Sequence, residues 1–246
     1  MSQDIDAALQ GWEYSPEVVQ ARLVQASDGR QVIQLRVDLG LLQMETTGRP
    51  DGTRPHGCPT YLDYLKRQAA IAERAGESFV LDAQQCQEAD REFLQFYHRR
   101  IAWLALRNYG RALADADHTL AFMNFVRQHS PSEAYTEAHD KYRGFVLFHR
   151  TQAAASLAVE QGRVEDAIDI IHAGLDKLRD FFAEQGKEDQ MEQDAMVRRL
   201  RAMQRSLREK YDIEATLQEQ LAEAVAREDY ETAARLRDAL RRRNKP

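Results

Sequence analysis

The sequence predicts a mainly α-helical protein, with an N-terminal β-hairpin, a helical bundle behind it and a helical hairpin at the C-terminal end. Three observations carry that expectation. Apolar residues alternate at Val19, Ala21, Leu23 and again at Ile33, Leu35, Val37, Leu39 around Ser27-Asp28-Gly29, the period-two pattern of paired strands. From Thr60 onward apolar residues recur at helical spacing, with starts and stops marked by cap residues. Near the end, Leu217, Leu221, Ala224 and Val225 form one short apolar stripe, and Tyr230, Ala233, Ala234, Leu236 and Leu240 form another. The implied divisions are residues 1–59, 60–211 and 212–246.

The register of the N-terminal hairpin follows from its faces. A two-residue Asp28-Gly29 loop would set Ala21 opposite Arg36 and Leu23 opposite Gln34, mixing polar and apolar residues on both faces. A three-residue Ser27-Asp28-Gly29 loop sets Leu23 opposite Ile33, Ala21 opposite Leu35 and Val19 opposite Val37, with Gly29 at a left-handed bulge position. The second register leaves Gln20, Arg22, Gln34 and Arg36 facing water. Next comes Gly48-Arg49-Pro50-Asp51-Gly52-Thr53-Arg54-Pro55-His56-Gly57-Cys58-Pro59, holding three of the six prolines and three of the twelve glycines, and so read as a rigid crossover loop. It lacks the Gly-Lys-Ser/Thr ending of a phosphate-binding loop; Arg49 and Arg54 keep a minor anion-binding reading alive.

Helix punctuation follows in order. Thr60 with Asp63, and Asp82 with Gln85, start two helices. Ser130-Pro131-Ser132-Glu133 reads as a capping box with Pro at the first helical position, opening a helix to about Gln161 that Gly162 closes. Another helix runs from Val164 to Glu184 and ends at Gly186, and an arginine-rich one runs from about Glu188 to Lys210. Trp103, then Tyr109-Gly110-Arg111-Ala112, Ala116 and Leu120, resemble a tetratricopeptide unit. Ala155, Ala158, Gly162, Ala167, Ile171, Gly174 and Leu175 repeat the layout. The copies lie 55 residues apart, against about 34 in that family, which implies tetratricopeptide-like packing across 93–185 within a bundle.

At the C-terminal end, Leu217, Leu221, Ala224-Val225, Tyr230-Glu231, Ala233-Ala234 and Arg237-Asp238 resemble, in order and spacing, the UVR motif of UvrB and UvrC, also found in McsA and the Clp ATPase family. The resemblance covers about residues 213–243. Leu221 stands where Met is common and Arg243 where the motif usually ends on an apolar residue. It implies a helical hairpin that makes protein contacts, including pairing with a second copy, and carries no chemistry. The partner-binding residues it implies are Leu217, Leu221, Ala224, Tyr230, Ala233, Ala234, Leu236, Arg237 and Asp238. Small Ala224, Ala233 and Ala234 permit close helix approach, and Arg237 and Asp238 stand beside the seam to set register or to lie solvated there. A half-repeat of a helical solenoid is the competing structural reading.

Composition narrows the function. A chain with 43% hydrophobic residues and no apolar run of membrane-spanning length is expected to be cytoplasmic and not membrane-bound. Two cysteines, Cys58 and Cys86, do not make a disulfide framework. Residues 198–246 hold 13 Lys or Arg against 9 Asp or Glu, a net +4, which leaves −10 on residues 1–197. The basic residues include Arg198, Arg199, Arg201, Arg205 and Arg208, then Arg241, Arg242, Arg243 and Lys245; interleaved carboxylates favour a solvated helix face over nucleic-acid contact. The histidines lack zinc spacing, and the nearest approach to a metal group is His56 and Cys58 with Cys86. Asp115, Asp117 and His118 are expected as solvated or shallow polar positions. Phe93, Phe96, Tyr97, Trp103, Tyr109, Phe122, Phe125, Phe145 and Phe148 recur at helical spacing as core or as the lining of a concave groove. No nucleophile, nucleotide-binding or paired-carboxylate motif is present.

The expected function is therefore a non-catalytic cytoplasmic protein-interaction adaptor, without cofactor or metal, that docks through its C-terminal hairpin. The alternatives are an accessory factor of nucleotide excision repair, contacting UvrB/UvrC-type proteins and DNA, and a regulator of a kinase or Clp-type ATPase.

Overall fold

The computed structural model describes residues 4–243; Lys245 and the side chain of Arg243, both part of the basic tail, lie outside the described residues. The chain forms two compact units, one ending at Arg150 and one beginning at Thr151.

The first unit opens with a short helix, α1 (Asp6–Leu9), and an antiparallel sheet of β1 (Ala21–Gln25), β2 (Gln31–Val37) and β3 (Gly40–Glu45) in that order. Ala21 pairs with Leu35 and Leu23 with Ile33, the register of the three-residue loop. Gly29 has φ +84, the left-handed conformation that the loop requires. Val19 does not reach the sheet as expected; it precedes β1 and is 49% exposed. The hairpin also continues into a third strand. Asp38 and Leu39 form the turn between Val37 and Gly40, which leaves Leu39 almost fully exposed.

Gln34 does not face water: it is buried together with Val32, Ile33 and Leu35. The N-terminal segment lies over that face and supplies polar partners. Arg22 Nε donates to Gln34 Oε1 (2.9 Å) and its Nη2 donates to the Ala8 carbonyl (2.6 Å), while its guanidinium sits 4.1 Å from the Trp12 ring centre. Arg36 Nε donates to the Trp12 carbonyl at 3.0 Å. A polar strand face is thus covered without leaving its groups unpaired.

Four helices follow: α2 (Tyr61–Arg74), α3 (Ala83–Ala105), α4 (Tyr109–His129) and α5 (Glu133–Asp140). A fifth, α6 (Arg143–Glu160), begins in the first unit and ends in the second. The second unit adds α7 (Val164–Glu184), a 3-10 turn (Glu188–Gln193), α8 (Ala195–Tyr211), α9 (Leu217–Ala226) and α10 (Tyr230–Arg243). Thr60 caps α2 by accepting from the Asp63 N–H, and Asp82 with Gln85 closes a reciprocal capping box on α3, as the sequence implies. Two expected helices are interrupted. The one from Ser130 stops at Asp140, whose carboxylate receives Arg127 Nε (2.5 Å) and Arg143 Nε (3.0 Å), and its cap is Ser132, so Pro131 stays outside the helix. The arginine-rich helix starts only at Ala195, where Asp194 accepts from the Met196 and Val197 N–H groups.

One cap recurs at helix ends. After α2, α3, α6, α7 and α9 a left-handed residue is followed by an N–H that reaches back five residues to a helix carbonyl, as in Glu77 to Ala72, Asn108 to Trp103, Arg163 to Ala158, Lys187 to Phe182 and Asp229 to Ala224. This is the Schellman arrangement. Gly76, Gly162 and Gly186 hold the left-handed position in three of them, and Arg107 (φ 55) and Glu228 (φ 59) in the others. Gly110 lies in the first turn of α4 and not at a helix end.

The core of the first unit includes Tyr61, Leu62, Leu65, Leu81, Phe122 and Val126, and burying side chains of this size stabilises by about 1.5–3 kcal/mol each. Charged residues run through the same interior. Glu92, fully buried, accepts from the Tyr61 (2.6 Å) and Leu62 (3.1 Å) N–H groups at the start of α2, where a carboxylate suits the positive end of the helix dipole. His118 Nε2 lies 3.1 Å from Glu92 and its ring stacks on Phe96 at 3.7 Å. Arg99 grips Asp115 through both carboxylate oxygens (2.9 and 2.7 Å) and donates to the Gly48 carbonyl (2.8 Å). Asp115 and His118 are therefore interior, contrary to the expectation of solvated positions, because Arg99 and Glu92 reach them from α3.

Arg49 is also interior and is ringed by Glu88 (2.9 Å), Glu92 (3.4 Å) and Asp51 (3.6 Å). Its charge is satisfied inside the protein, so the Gly48–Pro59 loop offers no Arg49 to an external anion. The fold supports the crossover reading instead, with His56 stacked on Tyr64 at 3.9 Å.

Candidate interaction site

Residues α9 and α10 fold back on each other around Arg227-Glu228-Asp229. Asp229 Oδ1 accepts from the Thr232 N–H at 3.0 Å and so caps α10; that hydrogen bond holds the Asp229 carboxyl below its ordinary range. Inside the pair, Ala224 and Ala233 are buried, as close approach of two short helices demands. Leu217, Leu221, Ala234, Leu236 and Leu240 are half-buried. Two members of the apolar stripes turn outward at the tip: Val225 is 53% and Tyr230 70% exposed. Arg237 and Asp238 are exposed and pair with each other at 3.1 Å.

A groove of about 520 Å³ runs along one side of the pair, between Ala224 on α9 and Leu236 and Ala239 on α10. Its rim carries both signs of charge, Glu223 with Arg227 (2.5 Å) on one helix and Asp229 with Arg235 on the other.

The opposite end of the hairpin is fixed to its own chain. Thr216 is fully buried and joins Glu219 in a capping box, accepting from the Glu219 N–H (3.2 Å) while its own N–H donates to Glu219 Oε2 (2.9 Å). Its hydroxyl donates to Asp169 Oδ1 at 2.6 Å, and the Leu217 N–H donates to Glu165 Oε2 at 3.0 Å. Both carboxylates come from α7 and face the positive end of the α9 dipole. Arg208 of α8 bonds Glu219 and donates to the Glu214 carbonyl. Burial pushes the Glu219 carboxyl up, but the Thr216 N–H and the Arg208 guanidinium outweigh it and hold the group below its ordinary value.

Residues 215–242 match the UvrB/uvrC motif. The matched segment begins one residue before the Thr216 cap and ends inside α10, so the motif and the hairpin coincide. The comparisons with curated proteins and with solved structures returned no match. Nine residues of the motif were expected to bind a partner, and the structure separates them into inner (Ala224, Ala233), intermediate (Leu217, Leu221, Ala234, Leu236) and outer (Tyr230, Arg237, Asp238) sets. Thr216, Asp169 and Glu165 were not anticipated. The Thr216-x-x-Glu219 spacing was a readable capping-box signal, whereas the two α7 carboxylates lie 47 and 52 residues upstream.

The basic residues of α8 divide as well. Arg201 pairs with Glu192 and Arg208 with Glu219. Arg198, Arg199 and Arg205 are exposed and carry no ion pair among the described residues. Among these residues no group of three or more His, Cys, Asp or Glu side chains is placed to hold a metal ion, and no helix is long and apolar enough to cross a membrane.

Proposed function

We propose that the protein is a non-catalytic cytoplasmic adaptor that docks a protein partner on the tip of α9–α10. One observation carries the reading: the motif buries its small residues inside its own hairpin and fixes its base to α7, yet leaves Val225 and Tyr230 in solvent. Exposed apolar side chains on a polar-rimmed surface are the usual anchors of a protein interface. A second copy of the hairpin is one such partner, since the rim offers Glu223 and Asp229 beside Arg227 and Arg235.

The test compares the intact protein with Tyr230→Ala, a change at an exposed position that leaves the hairpin interior alone. Sedimentation at increasing concentration reads self-association, and affinity capture followed by mass spectrometry reads other partners. Loss of either interaction in Tyr230→Ala supports the reading. Wild-type self-association and an unchanged partner set in the variant would overturn it.

A second reading, an accessory role in excision repair, is favoured by the match to the UvrB/uvrC motif and by the exposed Arg198, Arg199 and Arg205 on α8. Phosphate contact of this kind is salt-dependent, so absence of DNA binding at low ionic strength rules out its DNA-contacting form.

A further inference from the structure

The first unit holds a cavity of about 790 Å³ between α3, α4, α5 and the start of α6, within the range of small-molecule sites, about 300–1,000 Å³. Its walls are apolar, built from Phe93, Tyr97, Met123 and Phe145. Leu94 and Tyr142, 55% and 57% exposed, stand at its mouth. Arg100 and Thr119, both buried, also line it, so the cavity runs from an open apolar rim to a positively charged floor.

Arg100 differs from the other buried arginines. Arg49 is surrounded by three carboxylates and Arg99 holds Asp115 with two hydrogen bonds. Arg100 has no ion pair among the described residues. Its Nη1 donates to Thr119 Oγ1 (2.9 Å), and its Nε donates to His149 Nδ1 (3.3 Å). The hydroxyl is uncharged, and an imidazole that accepts through Nδ1 carries no positive charge, so neither partner balances the guanidinium. Burial pushes Arg100 down to about 10, against the opposing pull of the nearby Asp115 carboxylate, which Arg99 already holds. A buried cation without an ion pair of its own is destabilising, and one on the floor of an apolar cavity is complementary to an incoming anion. The carboxylate at the rim does not compete, because Asp90 is engaged by His139 Nε2 (3.0 Å) and by the Tyr135 hydroxyl (2.8 Å).

We propose that this cavity binds a small amphipathic acid, with one carboxylate paired to Arg100 and an apolar body against Phe93, Tyr97 and Phe145. The site is independent of the hairpin and of the docking role given to it.

Calorimetric titration of the full chain with decanoate, and with decanol as its uncharged match, tests the assignment. Decanoate is expected to bind one-to-one and at least about tenfold more tightly than decanol. Arg100→Met, which keeps an unbranched apolar stem and removes the guanidinium, is expected to abolish that difference while leaving decanol binding near its wild-type level. Should Arg100→Met fail to fold, Leu94→Glu decides, since it changes an exposed residue at the mouth: its added carboxylate is expected to weaken decanoate more than decanol. Equal affinity for the two ligands in the wild type, undiminished decanoate binding in a folded Arg100→Met, or no decanoate binding at millimolar concentration would each overturn the proposal. Binding of a short apolar peptide with a free C-terminal carboxylate, where decanoate does not bind, would overturn it in favour of peptide ends.

Discussion

The Thr216 hydroxyl donates to Asp169 across 2.6 Å while accepting from the Glu219 N–H, so a single buried side chain both starts α9 and joins it to α7. Thr216→Val keeps the shape and removes both bonds. Loss of a threonine cap costs about 0.5–2 kcal/mol, and the lost tether adds to it. Amides of α9 and α10 are expected to exchange with deuterium faster in the variant, while those of α3 and α4 keep their protection. Unchanged protection of α9 would show that the hairpin is held by other means.

Acid should loosen the same contact. The Glu219 carboxyl is held below its ordinary 4.5 in the folded chain, so its stabilising contribution is present above that value and is lost as pH falls through the folded one. Amide protection of the α9 first turn is expected to decline below about pH 4.5. In Glu219→Gln the decline should be shallower, with lower protection at neutral pH. Identical profiles for the two proteins would exclude Glu219 as the titrating group.

The shared helix cap gives a pair of opposite substitutions. Glu228 holds a left-handed conformation, φ 59, that costs a non-glycine residue about 1–2 kcal/mol; Gly162 holds the same position after α6 at φ +73, with open space around its missing Cβ. Glu228→Gly is expected to stabilise the hairpin by up to about 1 kcal/mol, and Gly162→Ala to destabilise the second unit by about 1 kcal/mol. Denaturant unfolding and hydrogen exchange measure both.

Gly174 lies within α7 for want of space. A Cβ there would come within 2.3 Å of Thr151 Cγ2 and Oγ1, a clash that forces a shift between α6 and α7. Gly174→Ala is expected to destabilise by about 1–3 kcal/mol, despite the better helix propensity of alanine, about 1 kcal/mol in the other direction. Combining it with Thr151→Ala should recover part of the loss, and additive effects in the double-mutant cycle would refute the contact.

Local signals were legible and distant ones were not. Asp82 with Gln85, Thr60 with Asp63 and Ser27-Asp28-Gly29 act on their own neighbours, so spacing alone located them. Leu41, Leu42, Gln43 and Met44 break the alternation that marks a strand, so the sequence pattern carries no sign of β3, and Leu39 reads as a strand residue because it continues the pattern of β2. Asp140 ends α5 without Gly or Pro, through arginines on neighbouring elements. Glu92, Arg99 and Arg100 look like a solvated face in a helix sequence; their burial follows from partners on α2, α4 and α6. In the candidate site, the two stripes and the small residues were readable, but not the division that puts Ala224 and Ala233 inside and Val225 and Tyr230 outside.

A ten-residue helix is about 15 Å long, and α9 has that length. The hydrogen bonds from Thr216, Leu217 and Glu219 converge on its first turn, whereas Val225 and Tyr230 stand at its far end. The hairpin is thus a lever with its pivot at Thr216, and a load placed on the tip is borne as torque at a buried hydroxyl and three carboxylates.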